Sequence, residues 1–413
     1  MKPKTITPYL SLCLLLAGLS SSSFGLGIKI ADQSAEATAR GDAFAATADD
    51  PSAIYYNPAG ITQLQGTQIL LGAYAISLKE RVSLDTPSGN RKFSSINTDL
   101  QTVPTFYATW TPQNSPISLG VGVYAPFGFA LEYPDDTPIR TVARKGSIEY
   151  LTISPIIAWK ICESLSIAAG PTISYGKAEL DQGIFSLGDN FQFRGDGVDV
   201  GFTAGIMWNP HRMHHFGLTY RGPTRINFDG HATVRTNSFV VPTPIGAVTV
   251  PGTRTRERAN AEFNLPQSIT AGYSFRPTDD WNFEFDIDWT DWNTLNTVTL
   301  HQDSGDIYLP FNWRSSFLYE FGITKKLPYK FHASVGYVYS QSSVPDGSFN
   351  PGIPDSNRNI FSVGFGQKYD HFNWNLAYQY TVGPTRTVAQ GTVADGAYRF
   401  DANAVTLSLG YNF

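Results

Sequence analysis

Alternation with period two runs through most of this chain. Over residues 281–289 the odd positions are large and apolar, and the even ones are polar, with Glu284, Asp286 and Asp288 among them. Residues 373–380 repeat the pattern, with Trp374, Leu376, Tyr378 and Tyr380 on one face. The last segment sets Val405, Leu407, Leu409, Tyr411 and Phe413 against Ala404, Thr406, Ser408, Gly410 and Asn412. Such alternation marks strands whose two faces meet different surroundings. It predicts about fourteen of them, near 67–84, 98–110, 117–124, 146–160, 165–180, 197–210, 215–228, 257–275, 281–300, 313–326, 331–340, 358–368, 373–381 and 398–413.

A soluble sandwich also alternates, so the connections matter. Short turns are expected near 112–116, 162–163, 211–214, 277–280, 328–330 and 370–371. Long loops are expected near 85–97, 125–145, 181–196, 229–256, 301–312, 341–357 and 382–397. Long and short alternate throughout, and an even strand count with that alternation is typical of an outer-membrane barrel. Trp110, Trp159, Trp208, Trp281, Trp292 and Trp313 fall near strand ends, where interfacial girdles sit. The polar face carries small or charged residues, as a solvated lumen would. The expected fold is therefore all-β, a transmembrane antiparallel barrel. Closing the sheet removes edges that lipid could not satisfy.

One early stretch breaks the pattern. Residues 35–48 are rich in Ala, Thr and Gly, and Asp49-Asp50-Pro51-Ser52-Ala53-Ile54-Tyr55-Tyr56-Asn57-Pro58-Ala59-Gly60 follows. Asp50 can cap a helix, and Pro51 suits its first position. Pro58 cannot continue that helix and biases Asn57 toward extended backbone. An earlier short helix fits residues 34–39, capped by Asp32 or Ser34 and ended by Gly41. Taken alone this reads as an ordinary globular cap. Beside a barrel it reads as a small helical hatch that plugs the lumen.

Composition and targeting narrow the class. Charged residues make up 16% of the chain, against a usual share of about 25%. Residues 1–25 read as a secretory signal, with Lys2 and Lys4 ahead of an apolar core, Ser23-Phe24-Gly25 at the cleavage positions and Leu26 as the first mature residue. Bulky Leu12 beside Cys13 argues against a lipoprotein signal. The expected organisation is thus a signal peptide (1–25), a hatch (26–66) and a barrel (67–413). Removing Lys2 and Lys4 from the 30 basic residues leaves 28 against 35 acidic ones, a net charge of −7. That excludes a nucleic-acid partner from the reading. Only Cys162 remains in the mature chain, so no internal disulfide can form. His211, His214 and His215 share a turn, which reads as a polar turn rather than a metal site, since no acidic or Cys partner sits at ligand spacing. Neither a cofactor nor a metal is expected.

With these features in place, the chain resembles the FadL/TodX family of outer-membrane channels for long-chain fatty acids and other hydrophobic compounds. The resemblance covers nearly the whole mature chain. Its most specific part is Ala46-Thr47-Ala48-Asp49-Asp50 followed by Asn57-Pro58-Ala59, which looks like that family's NPA motif in the hatch. Tyr124-Ala125-Pro126-Phe127-Gly128-Phe129-Ala130-Leu131-Glu132-Tyr133 looks like the end of its third strand. Gly217–Arg221, Phe228-Asp229-Gly230, Asn264-Leu265-Pro266 with Gly272-Tyr273, and Ser343-Val344-Pro345 with Ile353-Pro354-Asp355 match further segments in order. The resemblance implies a hydrophobic ligand, with fatty acid foremost, captured by external loops. It would pass to a pocket beside the hatch and leave sideways through a kinked third strand into outer-membrane lipid.

The site residues expected on that footing are these. Asn57, Pro58 and Ala59 fix the hatch, and either move with ligand or only seal. Pro126, Phe127 and Gly128 form the lateral gate, because proline removes a donor and glycine weakens the ladder. The plainer alternative is that they end the strand and begin a loop. Phe127, Phe129 and Leu131 offer apolar contact. Arg221, on the polar face opposite Tyr220, is the preferred cation for a carboxylate head group, with Arg140, Arg144 and Lys145 as alternatives. Terminal Phe413 resembles the signal that barrel assembly machinery reads. Glu284, Asp286 and Asp288 stand about 6.6–7 Å apart on one strand face. Glycosidases use carboxylates at such distances, but a lumen-lining ladder paired with Arg from adjacent strands is the preferred reading. No Gly-x-Ser-x-Gly elbow is present, so no enzyme is expected. A general porin or surface barrel, an outer-membrane lipase or protease, and an aromatic-hydrocarbon channel remain as alternatives.

Overall fold

The structure, a computed structural model, describes residues 28–413 except 88, 97–99, 185 and 244–245. The expected signal peptide and Leu26 lie outside the described residues.

Fourteen strands close into one antiparallel barrel. They are β1 (Gly66–Thr86), β2 (Gln101–Thr111), β3 (Ile117–Tyr124), β4 (Lys145–Cys162), β5 (Leu165–Gly183), β6 (Asn190–His211), β7 (His214–Arg221), β8 (Ser268–Thr278), β9 (Trp281–Thr290), β10 (Ser316–Lys326), β11 (Phe331–Ser340), β12 (Arg358–Tyr369), β13 (Phe372–Val382) and β14 (Gly396–Asn412). Each pairs with its sequence neighbour, and β14 returns to β1 from Gln68↔Asn412 to Ser83↔Ala397. All six expected short turns fall at one end, together with the C-terminus.

The alternation resolves as outward apolar and inward polar in the half nearest those turns. On β9, Phe283 points out while Glu284, Asp286 and Asp288 are buried inside. On β14, Val405, Leu407, Leu409 and Tyr411 are exposed outside, and Thr406 and Ser408 are buried inside. Toward the long loops the interior changes character. It becomes one apolar cluster that includes Phe129, Ile148, Phe193, Phe228, Phe263 and Trp313.

Several expected strand ends are revised. The expected strand over 215–228 breaks at Gly222-Pro223 and resumes as Thr224–Arg235. That over 257–275 breaks at Pro266-Gln267, after an outer stretch Arg254–Leu265. Each proline lacks the N–H a continuous ladder needs. The strand over 281–300 gives way to a 3-10 turn, Trp292–Thr294, before Thr297–Gln302. Conversely the expected loop 181–196 is mostly ladder, paired out to Gly183↔Asn190.

Candidate functional site

The hatch starts from small residues because little room exists inside the barrel. Helix α1 (Ala35–Ala39) is capped by Ser34, whose Oγ accepts from Ala37 N at 3.3 Å, and Gly41 follows with positive φ. Of the two caps expected from sequence, Ser34 takes the role. Helix α2 (Ala53–Tyr56) begins after Asp50, whose Oδ1 accepts from Ser52 N at 2.7 Å. Pro58 ends α2 but also opens a 3-10 helix, Pro58–Gln63, which Asn57 caps by accepting from Ala59 N at 3.2 Å.

Asn57 is therefore a junction. Its Nδ2 donates to Ala45 O at 2.8 Å within the hatch and to Ile206 O at 3.0 Å on β6. Pro58 and Ala59 are fully buried with it. The wall makes way at Gly205, where a Cβ would strike the Asn57 carbonyl and the Pro58 ring.

The three carboxylates of β9 serve the hatch, and this corrects the pairing expected with arginines of adjacent strands. Glu284 accepts from Arg40 at 2.9 Å, from Ala46 N at 2.8 Å and from Thr47 N at 3.0 Å. Asp286 accepts from Phe44 N at 2.9 Å and Ala45 N at 2.8 Å. Asp288 pairs with Lys29 at 2.6 Å. The amides of residues 44–47 turn toward the wall, and the carboxylates satisfy donors that a short, irregular plug cannot pair internally. Such charge-assisted bonds are the strong class.

Pro126, Phe127 and Gly128 lie where the third strand is interrupted. Between Tyr124↔Thr152 and Gly128↔Glu149, four steps on one strand oppose three on the other, which is a bulge. On the other side, β2 pairs with β3 only from Phe106↔Val123 downward. The interrupted segment is stitched to the start of the hatch instead. Lys29 bridges Phe127, Ile30 N donates to Pro126 O at 2.9 Å, and Gly128 N donates to Ile28 O at 2.8 Å.

Two cavities flank this break. The inner one, about 550 Å³ with its mouth, is lined by Lys29, Tyr55, Pro126, Phe127, Tyr150 and Arg221 among others. Arg221 lies over the Tyr55 ring at 4.3 Å and donates to the Tyr55 carbonyl. Among the described residues no carboxylate stands within ion-pair distance of it. Lys29, by contrast, is already neutralised by Asp288. The outer cavity, about 790 Å³ with its mouth, is lined by Phe129, Ile148, Phe193, Phe263, Leu300 and Phe311, with Lys145 and Glu179 paired at 3.3 Å among its few charges.

An aromatic chain joins the two. Phe311 of the outer cavity meets Trp313 at 5.7 Å, Trp313 meets Trp292 at 5.1 Å, and Trp292 meets Phe127 of the inner cavity at 6.2 Å. This corrects the girdle expected for two tryptophans, since Trp292 and Trp313 are each 3% exposed. The 3-10 turn after β9 folds Trp292 inward, and Trp313 is tied beside it, its N donating to Leu295 O at 3.2 Å. Trp110, Trp159 and Trp208 do face outward.

The structure thus brings Pro126, Phe127 and Arg221 to one cavity and Phe129 to the other. Leu131 is buried in the apolar interior but lines neither. Arg140 and Arg144 stand apart from both cavities. Arg140 bonds Asp135 at 3.2 Å and the Asp189 carbonyl at 2.9 Å, and Arg144 bonds Asp181 at 2.9 Å. Arg140 ties one loop to another, and Arg144 ties its loop to the end of β5. Phe413 is exposed on the outer face beside Tyr411 at 4.8 Å. Lys29 carries no motif that would single it out in the sequence.

Comparison with known proteins agrees with this architecture. The family described as outer membrane protein transport protein (OMPP1/FadL/TodX) matches residues 16–413. A long-chain fatty acid transport protein of Escherichia coli O6:H1 is 23% identical over 451 residues, covering 100% of this chain and 99% of that one. The crystal structure of a Pseudomonas aeruginosa FadL homologue superposes with a TM-score of 0.79 at 18% identity, covering 94% of this chain and 100% of the other. The Pseudomonas putida toluene transporter TodX gives 0.72 at 16% identity, with 96% and 99% coverage.

Proposed function

The chain belongs to the OMPP1/FadL/TodX family of outer-membrane transport proteins, and from that membership we propose that it admits long-chain fatty acids or similar hydrophobic compounds by passive uptake. Ligand enters between the long loops, where the outer cavity offers an apolar surface. It moves along the Phe311–Trp313–Trp292–Phe127 chain to the inner cavity beside the hatch. It leaves sideways at Pro126–Gly128 into outer-membrane lipid. The aromatic chain between two cavities is the observation that carries this reading.

The chemistry favours an amphiphile. An alkyl tail gains by leaving water for the outer cavity. A carboxylate head would meet Arg221, the inner-cavity cation with no carboxylate within ion-pair distance among the described residues. A lateral exit is sensible for such a ligand, since its tail prefers bilayer to any aqueous pore. Asn57, Pro58 and Ala59 seat the hatch in this scheme, and Phe413 serves barrel assembly.

Binding of oleate and toluene to the detergent-solubilised protein, read by quenching of Trp292 and Trp313 fluorescence, tests the reading. Oleate is expected to bind, and Arg221→Ala to weaken it about tenfold while leaving oleyl alcohol unaffected; that is about 1.4 kcal/mol. Binding of toluene alone would shift the reading to an aromatic-hydrocarbon channel. Binding of neither would leave a porin or surface barrel. Replacing Gly128 with Trp should lower oleate uptake in cells with the barrel still assembled, and unchanged uptake would count against the exit at Pro126–Gly128.

A further inference from the structure

Between β6 and the chain that continues β7, the ladder lapses for a longer interval than a bulge requires, although Gly197 still lies against Asn227 and Gly201 against Thr224. Below it the two strands pair up to Thr203↔Arg221, and above it they pair again from Asp196↔Asp229. Between those pairs no ladder joins residues 197–202 to 222–228. One hydrogen bond, from Gly222 N to Phe202 O at 2.9 Å, bridges its lower edge. Pro223 has no N–H to offer, and Thr224 turns to pair with Leu265 on the other side.

The lipid-facing side records the same opening. Val198 and Val200 are 62% and 67% exposed, whereas Ile206 and Leu218, on the paired part of the same seam, are 42% and 43% exposed. Phe202 is the third outward residue of this run, and its ring packs on Tyr220 at 5.4 Å. Yet Phe202, Gly222 and Thr224 also line the inner cavity beside the hatch. The lapse in the ladder is where an outward-facing residue and the inner cavity come together. The ring closes that interruption because residue 222 is glycine, where a Cβ would stand 2.7 Å from the ring.

We propose that this seam is a second passage between the inner cavity and the bilayer, with Phe202 as its shutter. The proposal rests on the uptake reading above and takes the same class of ligand, an acyl chain with a polar head. The two exits differ in what holds them shut. At Pro126–Gly128 the hatch itself fills the gap through two backbone hydrogen bonds, so opening there requires residues 28–30 to leave. At β6–β7 no hatch residue among the described ones bonds the gap, and opening needs the Phe202 ring to turn and the side-chain hydrogen bond between Asp199 and Thr224 to break. Ring and rotamer motion of exposed side chains is fast. The hydroxyls of Thr172, Ser174 and Thr224 line the approach and can hydrate a head group as it passes.

The test bridges the seam. In a Cys162→Ser background, Val200→Cys and Arg225→Cys are introduced together and linked with a short bis-maleimide. Uptake of radiolabelled oleate into cells is expected to fall at least threefold, while each single-cysteine variant treated with the reagent keeps full uptake. Equilibrium oleate binding to the purified bridged protein is expected to stay unchanged, which separates a blocked exit from a lost site. Full uptake in the bridged protein overturns the passage. Absence of oleate binding in the unbridged protein overturns the uptake reading first, and the passage with it. As a second measurement, Phe202→Ala should speed transfer of bound oleate from reconstituted protein into its liposome at least twofold. An unchanged transfer rate would remove Phe202 as the shutter.

Discussion

The inner and outer halves of this barrel use the same alternation for opposite ends. In the inner half the apolar face looks out to lipid, and the polar face grips the hatch through Glu284, Asp286 and Asp288. In the outer half the apolar face looks in, as Tyr398 and Phe400 do on β14, while Arg399 and Asp401 take the outer face. Uninterrupted strands such as β14 achieve this by changing residue type along each face. Three others change face instead. On the β7 chain Phe216 and Leu218 point out, but Ile226 and Phe228, of the same even parity, point in. The bulge at residues 125–127 and the proline breaks at 222–223 and 266–267 mark that reversal, because a shift of one residue in the alternation swaps the faces of everything beyond it. The difference teaches that the breaks and the ligand chambers are one feature. A strand that must turn its apolar side from lipid to lumen interrupts its ladder where it turns, and the inner cavity lies at that level.

The largest expected effect lies in the inner half. Glu284→Ala would leave the Arg40 guanidinium buried without a carboxylate and strand the amides of Ala46 and Thr47. Removing one partner of a buried ion pair costs roughly 3–5 kcal/mol. That energy is charged to the seating of the hatch, since the barrel ladders do not involve Arg40. We therefore expect ion conductance to appear in planar bilayers and the hatch to become open to protease, with the heat-modifiable barrel band retained. A variant that stays non-conducting with a protected hatch would show that the acidic ladder does not hold the plug.

A smaller effect belongs to the outer half. Phe311→Ala removes a wall of the outer cavity and the first ring of the aromatic chain. Equilibrium binding of radiolabelled oleate should weaken about tenfold, or about 1.4 kcal/mol. Leu218→Ala supplies the contrast, since that side chain faces lipid in the inner half. It should leave binding unaltered. Equal losses in the two variants would mean that the chambers are not what the ligand senses.

Legibility from sequence divided along the same line. Period two is local, so strands such as β9, β13 and β14 were visible residue by residue, and four of the six short turns carry Pro or Asp between them. The hatch was visible because Asp50-Pro51 and Asn57-Pro58 are strong local signals of helix start and stop. What escaped depends on the far side of a contact. The carboxylates of β9 were found, but their partners, hatch amides for Glu284 and Asp286 and Lys29 for Asp288, lie some 240 to 260 positions away in sequence, which no spacing announces. Trp292 and Trp313 looked like girdle residues because both stand next to strand ends, and only the inward 3-10 turn and the bond from Trp313 N to Leu295 O after it separate them from Trp110. Arg140 and Arg144 looked free because Asp135 and Asp181 do not reveal as sequence which of several cations they hold. Parity reversal at Gly222-Pro223 was missed because an alternating run that slips by one residue still reads as alternation on both sides.

The smallest expected effect is on the outer loops and depends on pH. Asp189, at the tip between β5 and β6, accepts from Asn237 N at 2.5 Å and from the Ser186 hydroxyl at 2.7 Å. The Asn237 amide first, and then the Ser186 hydroxyl, hold this carboxyl below the ordinary carboxylate value of 3.8. A carboxyl depressed by folding contributes stability above its unfolded pKa and loses it as pH falls through the folded one. The tie between this tip and the loop after Arg235 should therefore be intact at neutral pH and loosen only under acid, below the ordinary carboxylate range. Hydrogen exchange of the Asn237 amide should be slow and flat from neutral pH down to that range, after correction for intrinsic rates, and then rise. Asp189→Asn should remove the acid step and raise exchange at neutral pH by a few-fold, with oleate binding in the chamber below unchanged. A neutral-pH exchange rate identical in the two proteins would show that the outer loops are held by Arg140 at the Asp189 carbonyl instead, a contact that has no acid step.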